Sequence, residues 1–405
     1  MPIQALTKWV PEPGPVSAAD VRTAVERALR RLGAERLDLL QFHAWHYANP
    51  SWLDALWHLE ALQQEGLVGA IGLTNVDTAH LRLVRASGLP VVSNQVCYSL
   101  LDQRAAQHLG PYAAAEGVSI LAFGTLAGGF LSDRWLGQPE PDWEALQTWS
   151  QMKYGRFIRV AGGWARFQSL LRTCRQVADR HEVNIATVAT RAILDAPGVA
   201  AVIVGARLGE RAHLADAQRA LALTLDADDR ALLAGACAAL DPIPGDCGDE
   251  YRRPPYLTAS GDLSHHVTEM PAPYAVEQSA DERSRVFSGT PWEPVAGYCR
   301  ALRRGNRILV SGTTATHGSR LIGGRDAGAQ TTFALDKIIG AIESLGGREA
   351  DIVRTRIFVR HATDWEAVSR AHGARLGHVQ PVNTLVEARL IGEEYLVEVE
   401  AEAEL

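Results

Sequence analysis

The sequence predicts an α/β protein whose parallel strands and helices form a barrel-like but incomplete array, followed by a smaller α+β domain. Three observations predict it. Short apolar runs alternate with amphipathic helical stretches from Ala5 to about Ala220, which implies a parallel sheet with right-handed crossovers. Chemistry-bearing residues gather at one end of run after run: Lys8, His43, Thr74 with Asn75, Asn94 with Gln95, Phe123-Gly124-Thr125 and Gly205-Ala206-Arg207. An open doubly wound sheet would carry them only around one switch point, so the repetition favours a barrel. The alternation stops near Asp241 and resumes beyond Arg285 as strand pairs followed by helices.

Each element has a local reason. Ala5 to Val10 reads as a strand ended by the breaker-rich Pro11-Glu12-Pro13-Gly14-Pro15. Ser17 to Leu32 has helical spacing, with Ser17 as N-cap and Gly33 as C-cap. Leu37 to Trp45 is a buried strand with His43 where it emerges. A helix from about Trp52 to Gln64, a Gly66 stop and the strand Val68 to Asn75 follow. The order then runs through a helix at Thr78 to Ala86, a strand at Val91 to Val96, a helix at Ala105 to Glu116 and a strand at Val118 to Phe123. Helices at Trp164 to His181 and Ile185 to Leu194 and a strand at Val199 to Ala206 close the series. Gly128 to Gly162 reads as loops, and residues 246–284 as barrel tail and linker between parts 1–245 and 285–405.

Composition excludes several classes. A net charge of -7 argues against a nucleic-acid or anionic-membrane surface, and no apolar run is long enough to span a bilayer. Cys97, Cys174, Cys237, Cys247 and Cys299 show neither CxxC nor metal spacing, as expected of reduced thiols in a cytoplasmic protein. Acidic neighbours make Cys247 a poor nucleophile. His265-His266, near Asp262 and Glu269, point apart in regular structure and no HExxH is present, so no metal site is expected. No GxGxxG follows a strand.

A histidine and a lysine at adjacent strand ends can polarise a carbonyl or move a proton in a partly dry pocket. Taken singly, each has a plainer reading: Lys8 as a surface charge, His43 as hydrogen-bonded scaffold, and Asn75 and Gln95 as caps of strand-end backbone. The ordered set from Lys8 to about Ala220 resembles the aldo-keto reductases. The resemblance implies a (β/α)8 TIM-barrel-like fold and NADP or NAD as cofactor. It makes Lys8 and His43 the catalytic lysine and histidine, and Thr74 and Asn75 the pair holding the nicotinamide carboxamide, supported by Gln95. Phe123 stands where a tyrosine stacks on the nicotinamide, while Gly205 and Arg207 would approach the phosphates. In that family an Asp and the Tyr general acid lie on two strands before the lysine. Here only Met1 to Thr7 precede Lys8, so the barrel is N-terminally incomplete with about six strands. Three accounts of the missing acid stand open: a start placed too late, so that the Tyr lies in sequence outside this chain; a module that only binds; or a pocket completed by another group, such as Tyr47 near His43.

In the second part, Tyr298 to Leu302 and Arg307 to Gly312 read as strands joined across Gly305-Asn306. A helix at about Ala327 to Leu345, a strand at Ile352 to Val359, a helix at Asp364 to Leu376 and strands at Thr384 to Ala388 and Tyr395 to Ala403 complete it. Tyr298, Val310-Ser311-Gly312-Thr313, Phe358-Val359 and Pro381 to Glu387 resemble the Rid family, the reactive intermediate deaminases with a chorismate-mutase-like fold. The resemblance implies a homotrimer with pockets at subunit boundaries, lined by Tyr298, Asn383 and Glu398. Asn383 replaces the family's substrate-holding Arg, so deamination of amino-acid-derived imines is not expected. Glu398 also has a plainer reading, as a solvated residue sharing a strand face with Glu400.

Together the two parts imply an NAD(P)-dependent carbonyl or aldehyde oxidoreductase fused to an enamine/imine-hydrolase-related module, acting on a small carbonyl or imine substrate. The rival expectation is a catalytically incomplete trimer that binds a small molecule without turnover.

Overall fold

The computed structural model describes residues 4–205, 214–258, 270–280 and 282–405. Its first half is a parallel sheet in the order β1 (Leu6–Trp9), β2 (Leu39–His43), β3 (Ile71–Thr74), β4 (Val91–Cys97), β5 (Ser119–Phe123) and β6 (Val199–Val202). Helices α1 (Ala18–Leu32), α2 (Ser51–Gln64), α3 (Thr78–Ala86), α4 (Gly110–Ala115), α5 (Trp149–Val160), α6 (Gly163–Arg180) and α7 (Ile185–Leu194) connect the strands, and α8 (Leu214–Ala222) and α9 (Ala227–Ala238) follow. Among the described residues β1 and β6 each pair with one neighbour, so the barrel-like sheet stays open.

Local chemistry sets the boundaries. Ser17 and Asp20 form a capping box at the start of α1, and Gly33 ends it in the left-handed conformation. Every residue of β2 is buried, and Leu40, Phe42, Leu73, Leu53 and Leu56 share one apolar core. Each such side chain contributes about 1.5–3 kcal/mol when fully buried. Three expectations are corrected. The stretch read as loops holds α5, and 246–284 holds the short helix α10 (Asp249–Arg252) and strand β7 (Val276–Gln278). The sixth strand ends at Val202 rather than Ala206, and Ala206 itself lies outside the described residues.

The second half begins with β8 (Arg283–Val286) and α11 (Trp292–Ala296), then the hairpin β9 (Ala301–Arg304) and β10 (Arg307–Thr313) turning at Gly305-Asn306 as expected. Tyr298 precedes β9 rather than opening it. A two-residue ribbon, β11 (Thr316–His317) and β12 (Arg320–Leu321), leads to α12 (Ala327–Ser344), β13 (Ile352–Val359), α13 (Trp365–Leu376), β14 (Val382–Glu387) and β15 (Val397–Glu404). The main sheet has the order β14-β13-β15-β10-β9-β8-β7, and α12 and α13 lie on one face.

Helix α12 is buried on all sides: every residue from Ala327 to Ile342 is enclosed, because its own sheet lies on one side and α3 of the first half on the other. Gly340 permits the approach, since a Cβ there would sit 2.4 Å from the Ala48 carbonyl oxygen. The seam is charged at its centre. His80 contacts Asp77 through Nδ1 at 2.7 Å and Asp336 through Nε2 at 2.8 Å, and Arg375 joins Asp336 (3.1 Å) to Glu349 (2.7 Å). Burial alone would lower the His80 pKa, but Asp77 and Asp336 overcome it and raise it to about 9.

A folded-state pKa above the unfolded value of about 6.5 gives stability that is complete below that value and lost as pH rises through 9. Denaturant titrations from pH 6 to 10 should show this decline, at most about 1.4 kcal/mol per pH unit, and His80→Gln should flatten it. An unchanged slope would remove His80 as the source.

Candidate active site

Parallel register places Lys8 opposite Gln41, His43 opposite Thr74, Thr74 opposite Gln95, and Cys97 opposite Phe123. Side chains two apart share a face, so Lys8, Gln41, His43, Thr74, Ser93, Gln95 and Phe123 line one concave surface. The carboxyl ends of the strands therefore form a polar trough. Lys8 on the edge strand is exposed and Phe123 is half-buried, while Gln41, His43, Thr74, Ser93 and Gln95 between them are buried.

His43 is buried, with Nδ1 3.2 Å from the Thr74 carbonyl oxygen. A carbonyl only accepts, so Nδ1 carries the hydrogen and Nε2 is left as an acceptor. Burial, reinforced by Arg252, lowers its pKa to about 3, so the ring is neutral at physiological pH. Lys8 is held below the ordinary lysine range by the protein packed around its ammonium group and by the Lys153 cation. Among the described residues, Gln41 Oε1, Thr74 Oγ1, Asn75 Oδ1 and Ser93 Oγ are buried with no hydrogen-bond partner.

Helix α10 lies across the upper end of the trough. Arg252 reaches the carbonyl oxygens of Asn75 and Ala44, each at 2.5 Å, and its guanidinium covers the Tyr47 ring at 4.4 Å. Gly248 presses on Asn75: a Cβ there would lie 2.1 Å from the Asn75 carbonyl oxygen, and its φ of 89° is one that L side chains rarely adopt. Tyr251 packs edge-on to His43, ring centres 5.9 Å apart, and its hydroxyl receives a hydrogen bond from Lys153 Nζ at 3.0 Å. Lys153 also meets Glu250 at 3.3 Å, and Glu250 meets Arg104 at 2.8 Å. Burial pushes the Glu250 pKa up, but Arg104 and Lys153 outweigh it and bring it to about 2.

Tyr47 does not take the place expected of it: its ring is stacked 3.5 Å from His80 and closed over by Arg252. Lys153, Glu250 and Tyr251 were missed because α5 and α10 carry no strand-end signal. The Glu250-Tyr251-Arg252 run, three chemistry-bearing side chains inside a supposed linker, was the available clue. Among the described residues nothing lies within 4 Å of a Cβ placed on Gly205, and Arg207 lies outside the described residues, as do His265 and His266. Among the described residues no three His, Cys, Asp or Glu side chains gather as a metal site, and no helix is long and apolar enough to cross a membrane.

In the second half, Arg300 donates to the Tyr298 hydroxyl (3.2 Å) and the Gly312 carbonyl (2.6 Å), and Glu398 lies against Gly312, where a Cβ would fall 2.0 Å from its carboxylate. Burial, then Glu400, raises the Glu398 pKa. Asn383 is not brought to this group. It pairs with Thr355 and donates to the Thr355 hydroxyl at 3.0 Å on the helix-covered face, whereas Glu398 shares the opposite face with Glu400.

The aldo/keto reductase family model matches residues 3–237. The chain belongs to that family. Residues 290–405 match the Endoribonuclease L-PSP model, so a reductase half is joined to a half of the Rid fold. The chain is 30% identical over 228 residues to uncharacterized oxidoreductase Rv2298 of Mycobacterium tuberculosis, covering 56% of this chain and 66% of the relative. It is 41% identical over 120 residues to uncharacterized protein SCO2049 of Streptomyces coelicolor, covering 29% of this chain and 90% of the relative. Among solved structures it resembles Rv2704 of Mycobacterium tuberculosis, a member of the YjgF/YER057c/UK114 family, at 40% identity and a TM-score of 0.28 over 30% of this chain and 99% of that one. The chain thus spans just under two thirds of the reductase relative named here.

Gly248→Ala should loosen α10 from Asn75 and lower the melting temperature of the full chain by several degrees, as expected for strain of about 1–3 kcal/mol. Calorimetric melting checks this, and an unchanged midpoint would show that the contact does not constrain α10.

Proposed function

We propose that the reductase half interconverts small carbonyl compounds and alcohols with NADP or NAD, in a chain that assembles as a homotrimer through the Rid half. The observation that carries the catalytic part is the neutral, buried His43 beside Lys8 in a trough with unpartnered polar atoms. Thr74 Oγ1 and Asn75 Oδ1 are buried acceptors without donors, which suits the two N–H groups of a carboxamide. The half-buried Phe123 offers a ring to stack on, and Gly205 offers uncrowded backbone for a phosphate. The residues present therefore fit a nicotinamide cofactor.

A bound nicotinamide supplies or accepts the hydride. Lys8 places positive charge where the carbonyl oxygen becomes negative. His43 Nε2, left as an acceptor, takes a hydrogen bond from a bound hydroxyl group and orients it without taking up the proton. The walls of α10 and β2 exclude water from one side.

Calorimetric titration with NADPH and NADH, followed by turnover of a panel of aldehydes, ketones and alcohols, tests this reading. Lys8→Met and His43→Ala should each lower kcat by about 100-fold or more with little change in cofactor affinity. Unchanged rates would defeat the mechanism.

The trimer is supported by the uncovered face of the second sheet. Leu309, Val382 and Val386 are exposed there, and Leu309 lines an open cavity of about 530 Å³ with Arg356, which pairs with Glu400 and Glu402. Alternating apolar residues and ion pairs suit a self-complementary interface. With Asn383 and Glu398 on opposite faces, one copy does not form the carboxylate-binding pocket, so small-molecule binding by this half falls to pockets completed by a neighbouring copy. Sedimentation should give three copies for the full chain and one for Leu309→Asp; a monomeric wild type would remove the assembly.

A further inference from the structure

The geometry assigns proton transfer at the substrate oxygen to Tyr251, with Lys153 and Glu250 as positioning residues behind it. The assignment rests on the reductase reading above. Four observations carry it. The Tyr251 oxygen accepts from Lys153 at 3.0 Å, which leaves its own hydrogen for another acceptor. Its ring stands edge-on to His43, which places the phenol at the strand end where that histidine acts. Tyr251 keeps some exposed surface while Lys153 and Glu250 are buried, so of these three residues it alone is not fully enclosed. The remaining tyrosines near the trough are otherwise engaged: Tyr47 lies between His80 and Arg252, and Tyr154 is buried with its hydroxyl 3.6 Å from Cys97 Sγ.

The electrostatics agree with the geometry. Burial raises the Tyr251 pKa, and Lys153 opposes that rise by favouring the phenolate. Burial alone would lower the Lys153 pKa, but Tyr251 and then Glu250 raise it and keep Lys153 charged, and Arg104 fixes Glu250 from its other oxygen.

The step balances as follows. A bound reduced nicotinamide would supply the hydride to the carbonyl carbon; as the C=O π pair moved to oxygen, that oxygen would take the phenolic hydrogen and the Tyr251 O–H bond would break. The products are an alcohol, an oxidised nicotinamide and a phenolate. Lys153 stabilises the phenolate until a solvent proton restores the phenol. Alcohol oxidation runs the same step in reverse.

The test uses the full chain. Tyr251→Phe keeps the ring against His43 and removes only the hydroxyl; kcat should fall by about 100-fold or more, with NADPH affinity by calorimetry within about twofold of wild type. A second readout needs no cofactor. The tyrosinate absorbance titration of the unliganded protein should lose one transition in Tyr251→Phe, and that transition should move to higher pH in Lys153→Met, where the cation is gone. This titration also carries the test if Tyr251→Phe folds poorly. Wild-type turnover by Tyr251→Phe, with His43→Ala inactive, would overturn the assignment and leave the reductase reading standing. A wild-type chain that turns over no aldehyde, ketone or alcohol would overturn both. An unmoved transition in Lys153→Met would overturn the positioning role of Lys153.

Discussion

The Glu250 carboxylate is the interaction on which the site depends. Its side chain has no exposed surface, and it receives Arg104 at 2.8 Å and the Gly248 backbone N–H at 3.0 Å on one oxygen and Lys153 at 3.3 Å on the other. Leaving a buried charge without its partner costs about 3–5 kcal/mol, so these groups hold or fail together. Because Glu250 is fixed, α10 cannot slide over the strand ends. Tyr251 is then held against His43, and Arg252 can reach the carbonyls of Asn75 and Ala44.

The same short helix joins the two halves. Arg252 points to the reductase strands, and its neighbour Arg253 meets Glu349 of the Rid half at 3.6 Å. Glu349 holds Arg375, Arg375 holds Asp336, Asp336 holds His80, and His80 stacks on Tyr47, which lies under Arg252. The contacts form a closed circuit around the seam. The Rid half therefore contributes to the placement of α10 as well as to the enclosure of α12, and the two halves are built as one packed unit.

Much of this was legible in the sequence where one residue type carries one message. The Ser17 to Gly33 helix, the buried β2 run, the Ile185 to Leu194 helix and the Gly305-Asn306 hairpin follow local rules that tertiary packing does not override. Lys8, His43, Thr74 and Gln95 meet on one surface because parallel register aligns strand ends. Helix α5 was illegible because it lies among breakers and carries Gly155, and α10 because four residues have no periodicity to read. The Tyr251 and Lys153 pair joins residues 98 positions apart, and nothing local encodes such a meeting. Asn383 shows the converse: the family resemblance assigns it and Glu398 to one subunit-boundary pocket, and the period-two alternation of β14 and β15 puts them on opposite faces within a copy.

The trough is what distinguishes the proposed site from a retained scaffold. Each buried polar atom without a partner costs about 1–3 kcal/mol, and Gln41, Thr74, Asn75 and Ser93 each carry one on or beside the same surface. A surface with only a packing role is more stable with apolar residues there, as on the convex side, where Leu40, Phe42 and Leu73 stand one position away on the same strands. The polar atoms lie on the concave side, next to a neutral histidine, a partly desolvated lysine and a phenol held by an ammonium group. These atoms are closed to solvent in the unliganded fold, so a polar ligand that reached them would offset the cost that fold bears.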